Sequence, residues 1–496
     1  MRRFLSSPGS DKFSCTAADE RAGPIPHTAC GCCSPQLRSI ALRIDRELTR
    51  RGFVAGAGAS LAALGFAPRA RAQAKAVPPV VFSNFMLFDG KSTALKGGLR
   101  LLVEAGRIKA LATDDFSPPS GAQVIDCGGR TLMPGMIDAH WHTIFAGLPI
   151  STLLTADVGY IMLAASAEAE RTLMRGFTTV RDLGGPAFGL KQAIDDGLAI
   201  GPRIYPSGAM ITSSGGHGDM RPLSDLPRSS GGAPTAVERS GAVSIADGAD
   251  QVRLRAREQL LQGASQVKLT ASGGVSSPRT TLDMVTFSEP ELRAGVEAAA
   301  DRQTYVAVHA YPPAAIERAL AAGVQCIEHG HLMDEATARL IAEKGAWLST
   351  QPFLSEEDTG PLTGQSQRNA LQVFAGTDNL YTLAKEYKIK TAFGADLLFS
   401  PSLTKRQGVM LTHLARWYDN ADILRMATGT NGELLAVSGP RNPYPGKLGV
   451  IEEGALADLL LVDGDPLDDI GLMANPETSL LIIMKDGKLY KDARPT

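Results

Sequence analysis

Met133-Pro134-Gly135-Met136-Ile137-Asp138-Ala139-His140-Trp141-His142 is the stretch that decides the fold. An apolar, strand-like run leads straight into two histidines separated by one residue. On an extended segment residues i and i+2 point the same way. The two imidazoles can therefore grip one metal ion, at nitrogen–metal distances of about 2.0–2.1 Å if it is zinc. A lone H-x-H pair is a weak signal, because surface histidine pairs are common. The rest of the chain strengthens it. Of only eight histidines, His140, His142, His309, His329 and His331 all fall at or beside the C-terminal ends of predicted strands.

Strands and helices alternate on either side of these residues. The predicted strands are 135–139, 178–182, 203–207, 266–270, 305–309, 326–329, 347–350 and 391–394. Amphipathic helices are predicted over 289–302, 313–322 and 334–344, with His413 on a further helix as a structural residue. Eight such units over roughly 300 residues fit an α/β fold, a (β/α)8 TIM-like barrel at 135–435, whose active sites lie at the C-terminal strand ends. The flanks, 75–134 and 436–496, read as short strands punctuated by glycine, with Lys485-Asp486-Gly487-Lys488 as a hairpin signal. Together they predict one small β-sandwich built from both chain ends. The polar segment 218–250, rich in Gly, Pro and Ser, reads as a long loop after the third strand, in the position of a lid.

Residues 1–74 read differently. Thr49-Arg50-Arg51-Gly52-Phe53-Val54 is a twin-arginine pattern, followed by an apolar stretch to Phe66 and the A-x-A run Ala70-Arg71-Ala72-Gln73-Ala74. This order predicts export to the periplasm through a twin-arginine signal, with no stable membrane anchor because the apolar stretch is too short to span. Cys15, Cys30, Cys32 and Cys33 precede it without a second ligand cluster, leaving Cys127 and Cys326 after cleavage, on separate strands and unbridged. A net charge of -2 offers no global basic field for nucleic acid. The expected partner is a small-molecule or short-peptide substrate, and association into a homo-oligomer is left open.

Three further strand ends carry chemistry. His309 closes Val306-Ala307-Val308, His329 closes Cys326-Ile327-Glu328, and Asp396 closes Thr391-Ala392-Phe393-Gly394-Ala395. One histidine at such a place is more often a hydrogen-bonded core residue than a ligand; several converging on one mouth make coincidence a poor account. Lys268 lies inside the apolar strand Gln266-Val267-Lys268-Leu269-Thr270, where an ammonium is costly to bury. It is paired with an acid, lies on an exposed strand end, or is carboxylated by CO₂ to an anionic carbamate able to bridge two metals.

The combined pattern resembles the amidohydrolase superfamily: H-x-H on the first barrel strand, lysine on the fourth, histidines on the fifth and sixth, aspartate on the eighth. His140, His142, Lys268, His309, His329 and Asp396 fill all six positions, and Gly449-Val450-Ile451-Glu452-Glu453-Gly454-Ala455-Leu456-Ala457-Asp458-Leu459 is similar to the family's C-terminal return segment. Lys268-Leu269-Thr270-Ala271-Ser272-Gly273-Gly274-Val275, His309-Ala310-Tyr311 and Ser214-Gly215-Gly216-His217-Gly218-Asp219 look like its Xaa-Pro dipeptidase and carboxypeptidase-like branch, which includes ochratoxin-hydrolysing enzymes.

The resemblance implies two divalent ions. His140, His142 and Asp396 would hold one, His309 and His329 the other, and N6-carboxylated Lys268 would bridge them. The donor set suits zinc, and other divalent ions as well. Such a pair makes hydroxide available at neutral pH, with Asp396 as general base against the amide bond of a small peptide or N-acyl amino acid. His217 and Tyr311 are expected to contact substrate, against the plainer readings of loop ordering and rim packing. His331 shares parity with His329 and is either a supporting residue or a competing ligand. The alternatives are a mononuclear deaminase or imidazolonepropionase-like hydrolase, which commonly lacks the lysine, and a lactone or phosphotriester hydrolase on the same centre. A metal- or solute-binding protein without turnover, or an assembly-only relative, would be expected to have lost ligands, and none of the six is missing.

Overall fold

The computed structural model describes residues 78–113, 116–226 and 230–495. The twin-arginine segment and the four cysteines before it lie outside these residues. Nineteen strands are described. From the first flank come β1 (Val80–Ser83), β2 (Met86–Leu87), β3 (Leu99–Glu104), β4 (Arg107–Thr113), β5 (Gln123–Asp126) and β6 (Thr131–Pro134). The middle supplies β7 (Met136–Trp141), β8 (Phe177–Asp182), β9 (Arg203–Pro206), β10 (Met210–Thr212), β11 (Val243–Ile245), β12 (Val267–Thr270), β13 (Val306–Ala310), β14 (Cys326–His329), β15 (Trp347–Thr350) and β16 (Lys390–Phe393). The second flank adds β17 (Leu459–Val462), β18 (Leu480–Lys485) and β19 (Lys488–Asp492).

Every strand of the middle pairs in parallel. β7-β8-β9 form one sheet and β11-β10-β12-β13-β14-β15-β16 another. Helices intervene between most of them, as parallel pairing requires. Their ends are chemically marked. Helix Glu289–Ala300 opens with a reciprocal Ser288/Glu291 capping box. Helices Pro313–Ala322 and Glu335–Lys344 stop at Gly323 and Gly345, whose left-handed backbones no β-carbon obstructs. All eight predicted middle strands have counterparts. The 218–250 segment differs from expectation: it contains the helix Ala236–Arg239 and β11, whose alternating Val243 and Ile245 are buried against β10 and extend the sheet.

The flanks form two more sheets, β4-β3-β1-β5 and β19-β18-β17-β6-β2. The second joins strands from both chain ends, with β17 antiparallel to β6. One apolar cluster draws on both sheets, including Phe82, Leu101, Leu132, Leu461 and Ile482. The β18–β19 turn is Asp486-Gly487, both at positive φ, as a two-residue hairpin demands. Cys127 and Cys326 are buried free thiols. No helix among the described residues is long and apolar enough to cross a membrane.

Candidate active site

The parallel strands deliver their polar ends to one cavity of about 580 Å³, within the usual size for small-molecule sites. His140, His142, Lys268, His309, His329 and Asp396 all line it, and so do His217 and Tyr311. His140 and His142 do point the same way: their Nε2 atoms lie 3.5 and 3.2 Å from Asp396 Oδ1. Asp396 is brought there by the hydrogen bond from its own N–H to the His140 carbonyl, 2.9 Å.

Hydrogen bonds fix which ring nitrogen each imidazole presents. His140 Nδ1 donates to Glu328 Oε2 at 2.9 Å, leaving the Nε2 lone pair free. His142 Nδ1 lies 3.2 Å from the Gly184 carbonyl and His329 Nδ1 lies 2.8 Å from Gln351 Oε1, so Nε2 is again the free nitrogen. His309 is the reverse: Nε2 donates to the Gly273 carbonyl at 2.8 Å and Nδ1 carries the lone pair. Burial holds His140, His309 and His329 well below the ordinary imidazole pKa, so these rings are neutral. Burial opposes charge on His142 as well, but the hydrogen bond and charge of Asp396 outweigh it and raise its pKa. The lone pair of neutral His140 Nε2 faces the carboxylate across 3.5 Å and repels it unless a cation lies between them, whereas His142 meets the same oxygen at 3.2 Å as a donor.

His140, His329 and Asp396 present ligand atoms within 4.8 Å of one another, a set that could hold a metal ion. This trio crosses the division expected from the sequence, which put His329 with the second ion. Lys268 Nζ is buried and has no hydrogen-bond partner among the described residues. Burial pushes its pKa down to about 8, against the pull of Glu328 and Asp396. The neutral imidazoles of His140 and His329, with the Asp396 carboxylate, fit a divalent metal ion.

The remaining expected residues surround this cluster. His217 stacks on His309 at 4.2 Å, with Nδ1 2.8 Å from Ser277 Oγ. Tyr311 meets the His309 ring edge-on at 5.0 Å and stacks on His329 at 4.9 Å. His331 is buried 6.5 Å from the His329 ring, Nε2 bonded to the Gln351 carbonyl, and is not among the trio. His413 lies at a helix end near Pro352 and does not line the cavity.

Sequence reading missed the support beneath the ligands. Arg181 and Glu328 form a fully buried ion pair, Nη2 to Oε1 at 2.7 Å. Arg181 also donates to the Ala139 carbonyl and to Tyr305 Oη. Asp138 accepts from the N–H groups of His140 and Ala395 and from Gln407, tying β7 to the segment that carries Asp396. Gly273 and Ser277, after β12, orient His309 and His217, and Asn369 anchors that loop through the carbonyls of Gly274 and Thr280. Charged residues inside apolar strands, the signal used for Lys268, would have found Arg181 and Glu328.

Residues 131–490 match the model of the amidohydrolase family. The chain is 32% identical to ochratoxinase of Aspergillus niger over 378 residues, 73% of this chain and 75% of that protein. A crystal structure of an amidohydrolase superposes with a TM-score of 0.76 at 36% identity, covering 84% of this chain and 99% of the other. A prolidase crystallised with N-methylphosphonate-L-proline gives 0.77 at 33% identity, covering 84% and 100%. The chain belongs to the amidohydrolase family, in the branch that holds prolidases and ochratoxinase, and is a hydrolase of amide or peptide bonds.

Proposed function

We propose that the chain cleaves the amide bond of small peptides or N-acyl amino acids with two divalent ions, zinc by preference. His140, His142, His309, His329 and Asp396 would hold them, with Lys268, carboxylated on Nζ, as a further anionic ligand. The observation that carries this is the buried Nζ of Lys268, without a hydrogen-bond partner among the described residues and beside the neutral imidazoles of His140, His309 and His329. Among the described residues a plain ammonium there has no hydrogen-bond acceptor, whereas a carbamate would add an anionic ligand to the donor set. Bound ions at this place supply an activated water and polarise the scissile carbonyl.

The protein's own groups do the rest. Asp396, on a backbone tied to His140, takes the proton of the attacking water and passes it to the leaving nitrogen. His217 and Tyr311 orient the substrate oxygens from the His309 side. The likeness to ochratoxinase supports including ochratoxin A among the amides cleaved. The scaffold is read as a (β/α)8 barrel over 135–435, closed where Asp396 N–H meets the His140 carbonyl, with 75–134 and 436–496 as one sandwich. Export rests on Arg50-Arg51 and is tested by fractionating cells that express the full chain and its Arg50→Lys/Arg51→Lys variant.

The deciding experiment measures metal content and hydrolysis of a dipeptide and N-acyl amino-acid panel, for the wild type and Lys268→Ala. Two metals per chain, amide cleavage, and loss of both in the variant are expected. One metal with an unaffected variant overturns the lysine ligand in favour of a mononuclear hydrolase. Two metals without amide cleavage redirect the site to lactones or phosphotriesters.

A further inference from the structure

The cavity has two chemically different flanks. Beside His309 stand the polar groups of His217 and Tyr311. Beside His142 the ring of Phe145 stacks at 5.9 Å, and Phe399 stacks on Phe145 at 6.2 Å. The cavity wall also takes in Leu153, Val158 and Met162, from the helices Ile150–Thr155 and Val158–Met174. The first of these helices buries none of its residues, and Val158 is 58% exposed. Apolar side chains that line a cavity without being consumed by the core are a surface kept for a ligand.

The charges in the wall are equally informative. Apart from histidine and tyrosine, the only ionisable side chains lining the cavity among the described residues are Lys268, Asp396 and Asp358. The first two belong to the ligand cluster. Asp358 is buried and already engaged, accepting from the Leu354 N–H at 2.9 Å and from Arg406 at 2.8 Å. Among the described residues no lining carboxylate is left to receive a substrate ammonium, and burying an ammonium unpaired is strongly unfavourable.

We infer that the enzyme is selective for amino acids N-acylated by a long or aromatic apolar group, and discriminates against peptides with a free N-terminal ammonium. The acyl group lies against Phe145, Phe399 and the two helices at 150–174. The carboxylate of the released amino acid faces the neutral donors of His217 and Tyr311. This inference rests on the amide-hydrolase reading above. Each methylene buried contributes about fourfold to binding. If half of those added between an acetyl and an octanoyl group are buried, kcat/KM rises about 60-fold.

The test uses the metal-loaded enzyme and three derivatives of one L-amino acid: N-acetyl, N-octanoyl and N-glycyl, the last with a free amine. Melting temperatures are recorded with each compound alongside kcat/KM. The octanoyl compound should exceed the acetyl one by at least tenfold, and the glycyl compound should be the poorest. Leu153→Asp, on a half-exposed helix face, should lower the octanoyl-to-acetyl ratio at least tenfold. Equal rates for octanoyl and acetyl, or a preferred glycyl substrate, overturns the inference while leaving amide hydrolysis standing. Cleavage of none overturns the amide reading. The melting shifts then judge the apolar flank on their own: stabilisation by octanoyl above acetyl supports it, and equal shifts overturn it.

Discussion

Replacing Glu328 by glutamine separates what holds the fold from what aims a ligand. The glutamate carboxylate accepts from Arg181 Nη2 at 2.7 Å and from His140 Nδ1 at 2.9 Å, with no exposure to solvent. Burial works against the charge on Arg181, yet Glu328 outweighs it and holds the guanidinium well above its ordinary pKa. An amide of the same shape can offer its oxygen to only one of these partners. If the oxygen stays on Arg181, the NH₂ group faces His140 Nδ1 and forces that nitrogen to accept. The ring proton then moves to Nε2, the nitrogen that faces Asp396. Leaving one partner of a buried ion pair uncompensated costs about 3–5 kcal/mol. At about 2.1 cal/mol/K of unfolding entropy per residue, that lowers the melting midpoint of a chain this long by roughly 3–6 °C. Losing the group that orients a metal-binding histidine weakens metal affinity about 10–100-fold. The assay is competition with a chromophoric chelator, paired with calorimetry, for Glu328→Gln and for Glu328→Met/Arg181→Met. Removing both charges should recover much of the stability, since an apolar replacement of a buried pair is often neutral. It should not recover the affinity, because His140 still lacks its acceptor. A single variant that binds metal like the wild type, or a double variant that regains both properties, refutes the reasoning.

Gly394→Ala should weaken metal binding from a different direction. An added β-carbon would lie 2.4 Å from His140 Cβ and 2.8 Å from its backbone nitrogen, so β7 must shift, at about 1–3 kcal/mol; an unchanged melting point and chelator titration would sink this. Ser277→Ala removes the hydroxyl that meets His217 Nδ1 at 2.8 Å and accepts from the Gly218 N–H at 2.9 Å. KM for carboxylate-bearing substrates should rise more than kcat falls, with Ser277→Thr restoring it, and a pure kcat effect or failure of threonine would refute an orienting role. Burial pushes the Asp182 carboxyl up to about 6, above the usual value near 3.9. The native state therefore keeps a proton that the unfolded chain releases, and this group's contribution to stability falls as pH rises from about 4 to 6 and then levels. The stability difference between wild type and Asp182→Asn, from denaturant titrations at pH 4.5 and 7, should change by about 2 kcal/mol; a constant difference contradicts it.

The parts legible in the sequence were those set by period and by cost. Parallel strands buried on both faces read as apolar runs, so the stretches from 135 to 394 stood out, and the histidine or aspartate closing several of them, as at His140, His309, His329 and Asp396, was visible as an interruption. Lys268 was visible because burying it is expensive. Arg181 and Glu328 carry the same signal, but they come from strands far apart in sequence, and only the folded chain shows that they neutralise each other and share His140. β11 was hidden in a Gly- and Ser-rich segment because three residues are too few for a period, and its place comes from pairing with β10. The ring nitrogens offered by His140 and His309 differ because Glu328 and the Gly273 carbonyl, not the imidazoles, decide them.

Backbone conformation explains why the ligands converge at all. His329 and Asp396 adopt positive φ of 75° and 49°, as does Phe399 at 63°, and all three line the cavity. For residues with a β-carbon this costs about 1–2 kcal/mol each. The outcome is visible at β14. Neighbours on a strand point to opposite faces, yet Glu328 bonds the His140 ring and His329 lies 4.9 Å from the same ring. The left-handed turn at His329 breaks the alternation and brings both to one side. Asp396 is bent inward in the same way and is held there by the His140 carbonyl. Strain concentrated on two of the three residues that gather into one ligand set is what a site fixed by its surroundings looks like, and the surrounding structure over-determines it. A substitution that relaxed either residue to an ordinary strand geometry would gain local stability and turn its side chain out of the ligand set.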